Sequence, residues 1–259
     1  MTRLAIAARL EYDLPAAVDL LLQMEAAHLP EQSVETANLE LSSCAHFARV
    51  AAQDGIGERI WLRAEGRFTA DYRATVRIER RLADVAALPA VPPHRLPGET
   101  VSYLLDSLYC PASRFQHYVD AEFAGLEGGA RVAAMRDFIQ QRFRYEPGVS
   151  GEHTNALDTF VRRAGVCRDF AHVMVTLARA AAIPARFASV YALGVDPPDF
   201  HAVAEIFLGG EWHLVDATGM AAEGAMAKIG IGRDAADVAF LSVFGECAMV
   251  AQQVAVRAV

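Results

Sequence analysis

Two adjacent glycines, Gly209 and Gly210, constrain the fold of this chain more than any other feature. The apolar run FHAVAEIFL precedes them at 200–208, and the run EWHLVDAT follows at 211–218. Glycine occupies the positive-φ positions of tight turns, and two glycines between such runs are typical of a two-residue hairpin. The sequence therefore predicts two antiparallel strands, at about 201–208 and 212–218.

The hairpin register predicts which side chains meet. With the glycines as central turn residues, Leu208 pairs with Glu211, Val203 with Asp216, and the register extends to His201 opposite residue 218. Opposed residues share a face, so His201 and Asp216 lie on one face as diagonal neighbours, about 7–8 Å apart at the backbone. A carboxylate can reach an imidazole over that separation. A three-residue loop would instead place the two on opposite faces, and a merely solvated polar face is the simplest alternative.

A cysteine lies where a loop passes into a predicted helix. After Cys167, apolar residues recur at helical steps (Phe170, Met174, Leu177, Ala181), and Pro184 ends the helix. The unpaired N–H groups and positive dipole of a helix start favour a thiolate. Such a position can lower a cysteine pKa from about 8.5 toward roughly 3.5–7.5. A small buried cysteine without chemistry is the alternative.

His172 is close to Cys167 in sequence but is a poor partner. Five helical residues rotate a side chain by about 140°, which turns His172 off the Cys167 face. We interpret it as a polar-face or interdomain histidine. His201 remains the better base: Asp216 would fix its tautomer, and its other nitrogen would exchange the thiol proton.

These residues carry a resemblance to a known family. The stretches Gly165–His172, Ile183–Arg186, Asp199–Ala202 and Trp212–Thr218 resemble the transglutaminase-like superfamily, whose bacterial members are often described as cysteine proteases. Looser similarity covers the first hundred residues, which are similar to a β-rich region that precedes this domain. The specific match spans about 99–245.

The resemblance implies roles for three residues. Cys167 would be the nucleophile, His201 the general base and acid, and Asp216 the orienting acid. The family often has tryptophan and proline where this chain has Val203 and Ala217, and we expect Val203 to affect the substrate groove.

The expected reaction is acyl transfer at an amide through a thioester, with water as the expected acceptor of the acyl group, which makes the reaction a hydrolysis. The Cys167 N–H would stabilise the oxyanion, with Tyr145 as a candidate second donor. Three alternatives stay open: a catalytically silent binding or scaffolding module, a true protein-glutamine transglutaminase, and arylamine-type acetyl transfer, for which no phosphate-binding feature is evident. The expected partner is a protein or peptide substrate.

Composition sets further expectations. A formal charge of −8 argues against a nucleic-acid binder, and Lys228 is the single lysine beside 23 arginines, so self-cross-linking is improbable. The stretch Gly230–Ala235 matches a dinucleotide fingerprint but lacks a βαβ unit, so we interpret it as a turn and expect no cofactor. Neither the spacing of the cysteines nor the geometry of His172 suits a metal site.

The four cysteines do not form a disulfide framework in a chain of this size. Charged residues at 9, 11 and 13 interrupt any signal-peptide run, and no apolar stretch is long enough to span a membrane. The expected location is the cytoplasm.

The proline-rich stretch 88–98 divides the chain. Period-two patterns before it predict a small antiparallel β-domain over 1–98. Helical patterns follow in 99–259, at 132–143 and 157–164, the latter capped by Thr154 or Asn155, and strands come after them. Helices followed by antiparallel strands predict an α+β fold for the catalytic domain, with the Cys167 helix packed on the sheet.

Overall fold

The computed structural model describes residues 2–259 and contains two antiparallel sheets, a short parallel pair of strands and four α-helices. The strands are β1 (Thr2–Leu22), β2 (Gln32–Leu41), β3 (His46–Ala51), β4 (Glu58–Ile78), β5 (Arg144–Tyr145), β6 (Ala164–Gly165), β7 (Ala185–Ala192), β8 (His201–Leu208), β9 (Glu211–Val215), β10 (Met226–Gly232), β11 (Leu241–Phe244) and β12 (Ala248–Ala258). The α-helices are α1 (Gln116–Glu122), α2 (Gly128–Arg142), α3 (Ala156–Arg162) and α4 (Cys167–Ala180). Short 3₁₀ helices lie at Gln53–Gly55, Val85–Ala87, Pro93–Arg95, Gly98–Leu104, Ala112–Arg114, Glu223–Ala225 and Ala235–Asp237. The predicted α+β fold is confirmed.

The first sheet has six strands and is built on the long antiparallel pair β1 and β4. Along β1 the buried side chains alternate with exposed ones, as expected for a sheet with one face on a core. Leu4, Ile6 and Leu10 from β1 pack with Phe68 and Tyr72 from β4 in that core. The β-rich character predicted for the first hundred residues is therefore present.

The end of the chain returns to this first sheet. β11 pairs with the last residues of β1, and β12 pairs antiparallel with its first half. The sequence division at residue 98 assigned these residues to the second unit, whereas the strand pairing assigns them to the first sheet. Local patterns cannot show a pairing between segments more than two hundred residues apart, which explains the difference.

The second sheet has the order β10–β7–β8–β9 and contains the predicted hairpin. Leu208 pairs with Glu211, and Gly209 and Gly210 have φ values of 62° and 93°, which are turn conformations open to glycine. The register therefore agrees with the prediction, although β9 ends at Val215, before Asp216. Asp216 lies in the loop that follows.

The helices pack on one another and on β8. The buried residues Val132, Met135 and Ile139 of α2 form the predicted stripe. α3 begins with Asn155, whose side chain accepts bonds from the N–H groups of residues 157 and 158. Val161, expected in the α3 stripe, is 76% exposed, so that part of the prediction is wrong.

The stretch that resembles a dinucleotide fingerprint begins in a strand, and its last three residues bend into the 3₁₀ helix Ala235–Asp237. Gly230 and Gly232 lie in β10, which is fully buried. A Cβ on Gly230 would lie 2.0 Å from Gln23 Nε2, and one on Gly232 would lie 2.5 Å from the Asp237 Cβ. These glycines therefore allow close packing against neighbouring segments.

Within residues 2–259, no helix has both the length and the apolar character needed to cross a bilayer.

Candidate active site

Cys167 is the first residue of α4, as the sequence predicts, and its side chain is partly exposed. The preceding loop is held by Asp169, whose Oδ2 accepts a 2.8 Å bond from the Val166 N–H. Gly165 lies against this carboxylate: a Cβ there would come within 2.6 Å of the same oxygen. Glycine is thus required for the close approach that sets the entry of the chain into α4.

We predict that Gly165→Ala destabilises the protein by about 1–3 kcal/mol, because the added methyl group displaces Asp169 and the loop. It should also slow iodoacetamide alkylation of Cys167. Gly151→Ala is the matched control, since a Cβ at Gly151 meets no atom within 4 Å. Urea unfolding and alkylation rates of both variants provide the measurement, and equal behaviour of the two would contradict this reading of Gly165.

His201 and Asp216 are in direct contact. His201 is the first residue of β8, and its Nε2 lies 3.0 Å from Asp216 Oδ2, with both side chains buried. Because an ionised carboxylate only accepts, Nε2 carries the hydrogen of this bond. The contact predicted from the hairpin register is present.

The other ring nitrogen of His201, Nδ1, is not engaged by Asp216. Nδ1 is buried without a hydrogen-bond partner among the described residues, and the Cys167 thiol is close enough to contribute to the pKa of the ring. The thiol lies 3.9 Å from the carbonyl oxygen of Phe200, the residue before His201. The structure thus brings together the three residues that the sequence singles out.

The electrostatics of the pair favour charge separation. Burial lowers the pKa of His201, but the hydrogen bonds and charges of Asp216 and Cys167 outweigh burial and raise the pKa to about 9. Burial likewise raises the pKa of Asp216, and its bonds to His201 and Thr218 overcome this effect, so the pKa lies below its usual value. The site therefore favours the charged form of the His201 ring.

Three further groups fix the Asp216 side chain and backbone, and sequence reasoning missed them. Asp216 Oδ1 accepts bonds from the Thr218 N–H and hydroxyl, and Oδ2 accepts a 2.9 Å bond from the Ala221 N–H. Gln140, on α2, donates to the Asp216 carbonyl. The Asp-X-Thr spacing is a signal for the first contact, because a carboxylate commonly bonds backbone two residues on.

Tyr145, the candidate second donor, borders Cys167. Burial is the main cause that raises the pKa of Tyr145 to about 12, the Cys167 thiol adds to it, and the Cys167 backbone N–H acts in the opposite sense. Tyr145 pairs with Gly165 just before α4, and its ring lies 6.1 Å from that of Phe170, so the phenol is next to the first turn of the helix. Its raised pKa keeps it a hydrogen-bond donor.

His172 does not contact Cys167, as the helical rotation predicted, but it is not on a polar face. It is fully buried, stacks on Tyr109 at 5.0 Å, and its Nε2 accepts a bond from the Ala235 N–H. Burial lowers its pKa to about 3, so the ring is neutral. The helix is buried all round because the segment near 235 covers the side that the sequence pattern left open.

Val203 is also buried, contrary to the expectation that it shapes a groove. It packs with Tyr103 and Leu214 in a buried cluster. Any effect on substrate must therefore pass through packing.

A cysteine at a helix start, near a histidine that is hydrogen-bonded to an acid, is the arrangement found in thiol-dependent enzymes. Comparison with known proteins specifies the family. The family model of the transglutaminase-like superfamily matches residues 121–217. A solved structure from Cytophaga hutchinsonii, a "putative cysteine protease", is 30% identical and superposes with a TM-score of 0.91 over 99% of this chain and 90% of that one. The chain belongs to the transglutaminase-like superfamily.

A curated relative matches a smaller part of this chain. The uncharacterized protein ML0607 of Mycobacterium leprae (strain TN) is 32% identical over 118 residues, and the matched stretch covers 42% of this chain and 42% of that protein. At the level of the family, these similarities support a cysteine-dependent enzyme.

Proposed function

We propose that Cys167, His201 and Asp216 form a catalytic triad that cleaves amide bonds of a protein or peptide through a thioester. The observation that carries the proposal is the 3.0 Å bond from His201 Nε2 to Asp216, which leaves Nδ1 free beside the Cys167 thiol. That arrangement gives the imidazole one orienting partner and one proton to exchange.

The reaction begins when the Cys167 sulfur, having given its proton to His201 Nδ1, attacks the amide carbonyl carbon. The tetrahedral intermediate collapses as the C–N bond breaks, and the Nδ1 proton moves to the departing nitrogen. Nδ1 then removes a proton from water, whose oxygen attacks the thioester. When the C–S bond breaks, sulfur returns to its starting state and the acid product leaves.

The oxyanion of each tetrahedral intermediate would be stabilised by the Cys167 N–H and the Tyr145 hydroxyl. The first residues of a helix have N–H groups without intrahelical partners, and Tyr145 borders the same position. Two donors aimed at one oxygen are the usual requirement for acyl transfer.

Hydrolysis is proposed over amine transfer. The Cytophaga relative is described as a "putative cysteine protease". The single lysine here, Lys228, is buried and ion-paired, so the chain does not cross-link itself through that side chain. A reducing setting such as the cytoplasm belongs to the proposal, because the reaction requires a free thiol. All four cysteines are unpaired.

The test uses unfolded casein for hydrolysis and a glutaminyl peptide with dansylcadaverine for amine transfer. We expect new amino termini, with little amine incorporation, and a loss of about 10⁴-fold or more in Cys167→Ala. Cys247→Ala is the matched control, because that cysteine is exposed and far from the triad in sequence. Activity in Cys167→Ala would refute the mechanism. Amine incorporation would identify a transglutaminase. No turnover, together with equal rates of iodoacetamide alkylation at Cys167 and Cys247, would indicate a silent module.

A further inference from the structure

The last strand, β12, forms a free edge of the first sheet. It pairs with β1 on one side, and within residues 2–259 no backbone hydrogen bond joins it to another element. A long unpaired strand edge is a template for another chain, and proteins usually cover or charge such edges. This edge therefore requires an occupant or a reason to remain open.

The hydrogen-bond register shows which groups are free. The Val259 N–H donates to the Arg3 carbonyl at 3.0 Å, and bonded and non-bonded pairs alternate along an antiparallel ladder. The backbone groups of the odd-numbered residues in 253–257 thus form hydrogen bonds with β1. The N–H and C=O groups of Gln252, Val254 and Val256 point away from β1, to the open side.

A groove runs along this open side. It measures about 210 Å³ and lies between β12 residues 254–257 and the loop 194–199 that leads to His201. No residue of β1 lines the groove, so it lies on the side of β12 away from that strand. Its volume is below the roughly 300–1,000 Å³ typical of compact small-molecule sites.

One end of the groove lies near Cys167. Asp199 lines it and accepts a bond from the Gln252 side-chain amide, and the next residue, Phe200, has its carbonyl oxygen 3.9 Å from the Cys167 thiol. The Gln252 Oε1 is buried without a hydrogen-bond partner. Buried polar oxygens are normally hydrogen-bonded, so this one lacks a partner that the described residues do not supply.

We propose that the open edge of β12 binds an extended segment of the polypeptide substrate as an added strand and leads it past Asp199 and Gln252 to Cys167. This rests on the proposed function. Backbone bonds to residues 252, 254 and 256 supply the affinity, as in other cases of strand addition. A second copy is disfavoured as occupant, because a strand still attached to its own sheet meets the loop 194–199, whereas a single chain does not.

The experiment measures binding of Cys167→Ala protein to an array of short random-sequence peptides. Adding Val256→Pro removes an outward N–H and leaves the bonds to β1 intact, so retention of the selected peptides should fall about tenfold. Adding Val256→Ala keeps the N–H and should change retention by no more than about twofold.

Backbone N-methylation of the peptides keeps the test independent of how the proline variant folds. Methylation at alternate positions should abolish binding to Cys167→Ala protein, and methylation at the intervening positions should not. Binding unaffected by proline and by methylation, or no peptide retained at all, overturns the edge site. A dimer that Val256→Pro dissociates in sedimentation would assign the edge to a second copy and equally overturn it. Casein cleavage by the wild-type protein tests the proposed function separately from the peptide-binding site.

Discussion

Asp216→Asn is expected to slow amide cleavage by roughly 10³–10⁴-fold with little change in the fold. The carboxylate accepts the Nε2 hydrogen of His201, so it holds Nδ1 free of hydrogen when the ring is neutral. An asparagine amide can instead donate to Nε2, and the hydrogen then resides on Nδ1. The ring in that state cannot accept the Cys167 proton.

The same variant should change how the site titrates. In the wild-type protein the pKa of His201 is raised from 6.5 to about 9, so the ion pair stabilises the fold below about pH 6.5 and is lost as the pH rises through 9. Without the carboxylate only Cys167 opposes burial, so the pKa of His201 should fall well below 9. The decrease in stability between pH 6.5 and 9 should therefore be smaller in Asp216→Asn than in the wild-type protein.

An NMR titration of the histidine ring signals measures the pKa of His201. The signal that is missing in His201→Gln is assigned to His201. Thr218→Val is the matched control: it removes one bond to Asp216 and keeps the carboxylate, so the pKa should stay well above 6.5. An unchanged His201 titration in Asp216→Asn would show that the acid does not govern the ring.

The contact of His201 with Asp216 was predictable because it is local. Fifteen residues separate them, a two-residue glycine turn sets the register, and side-chain alternation does the rest. The position of Cys167 followed from helical spacing in the same way. Each inference required only the geometry of one element or of one hairpin.

The supports of the site were not predictable because they come from distant segments. Gln140 reaches Asp216 from α2, the segment at Ala235 covers His172, and Gln252 reaches Asp199 from the last strand. The return of β11 and β12 to the first sheet is of the same kind. None of these contacts leaves a periodic pattern, because each depends on how separate elements dock.

The largest stability effect is expected at Glu205, four residues after His201 on β8. Arg186 Nε lies 2.6 Å from Glu205 Oε2, and Lys228 Nζ contacts the other oxygen, with all three side chains buried. Lys228 also binds Glu31, 2.8 Å away, which joins the second sheet to the segment after β1. Burial raises the pKa of Glu205, but the charges of Lys228 and Arg186 overcome it and lower the pKa to about 2.

Glu205→Gln should lower the free energy of unfolding by about 3 kcal/mol at neutral pH, because it removes the buried carboxylate that two cations share. Lys228 then keeps only Glu31, and Arg186 keeps only a 3.7 Å contact with Asp54. The depressed pKa adds stability that is present above about pH 4.5 and is lost as the pH falls toward 2, so the variant should have a flatter acid limb. Urea unfolding from pH 7 to 3 measures both effects. Asp19→Asn is the control: its 2.8 Å pair with Arg63 is half exposed and should contribute no more than about 1 kcal/mol. Equal losses in the two variants would mean that Glu205 does not hold β8 in place, and the position of His201 would then have to depend on Asp216 and the neighbouring core alone.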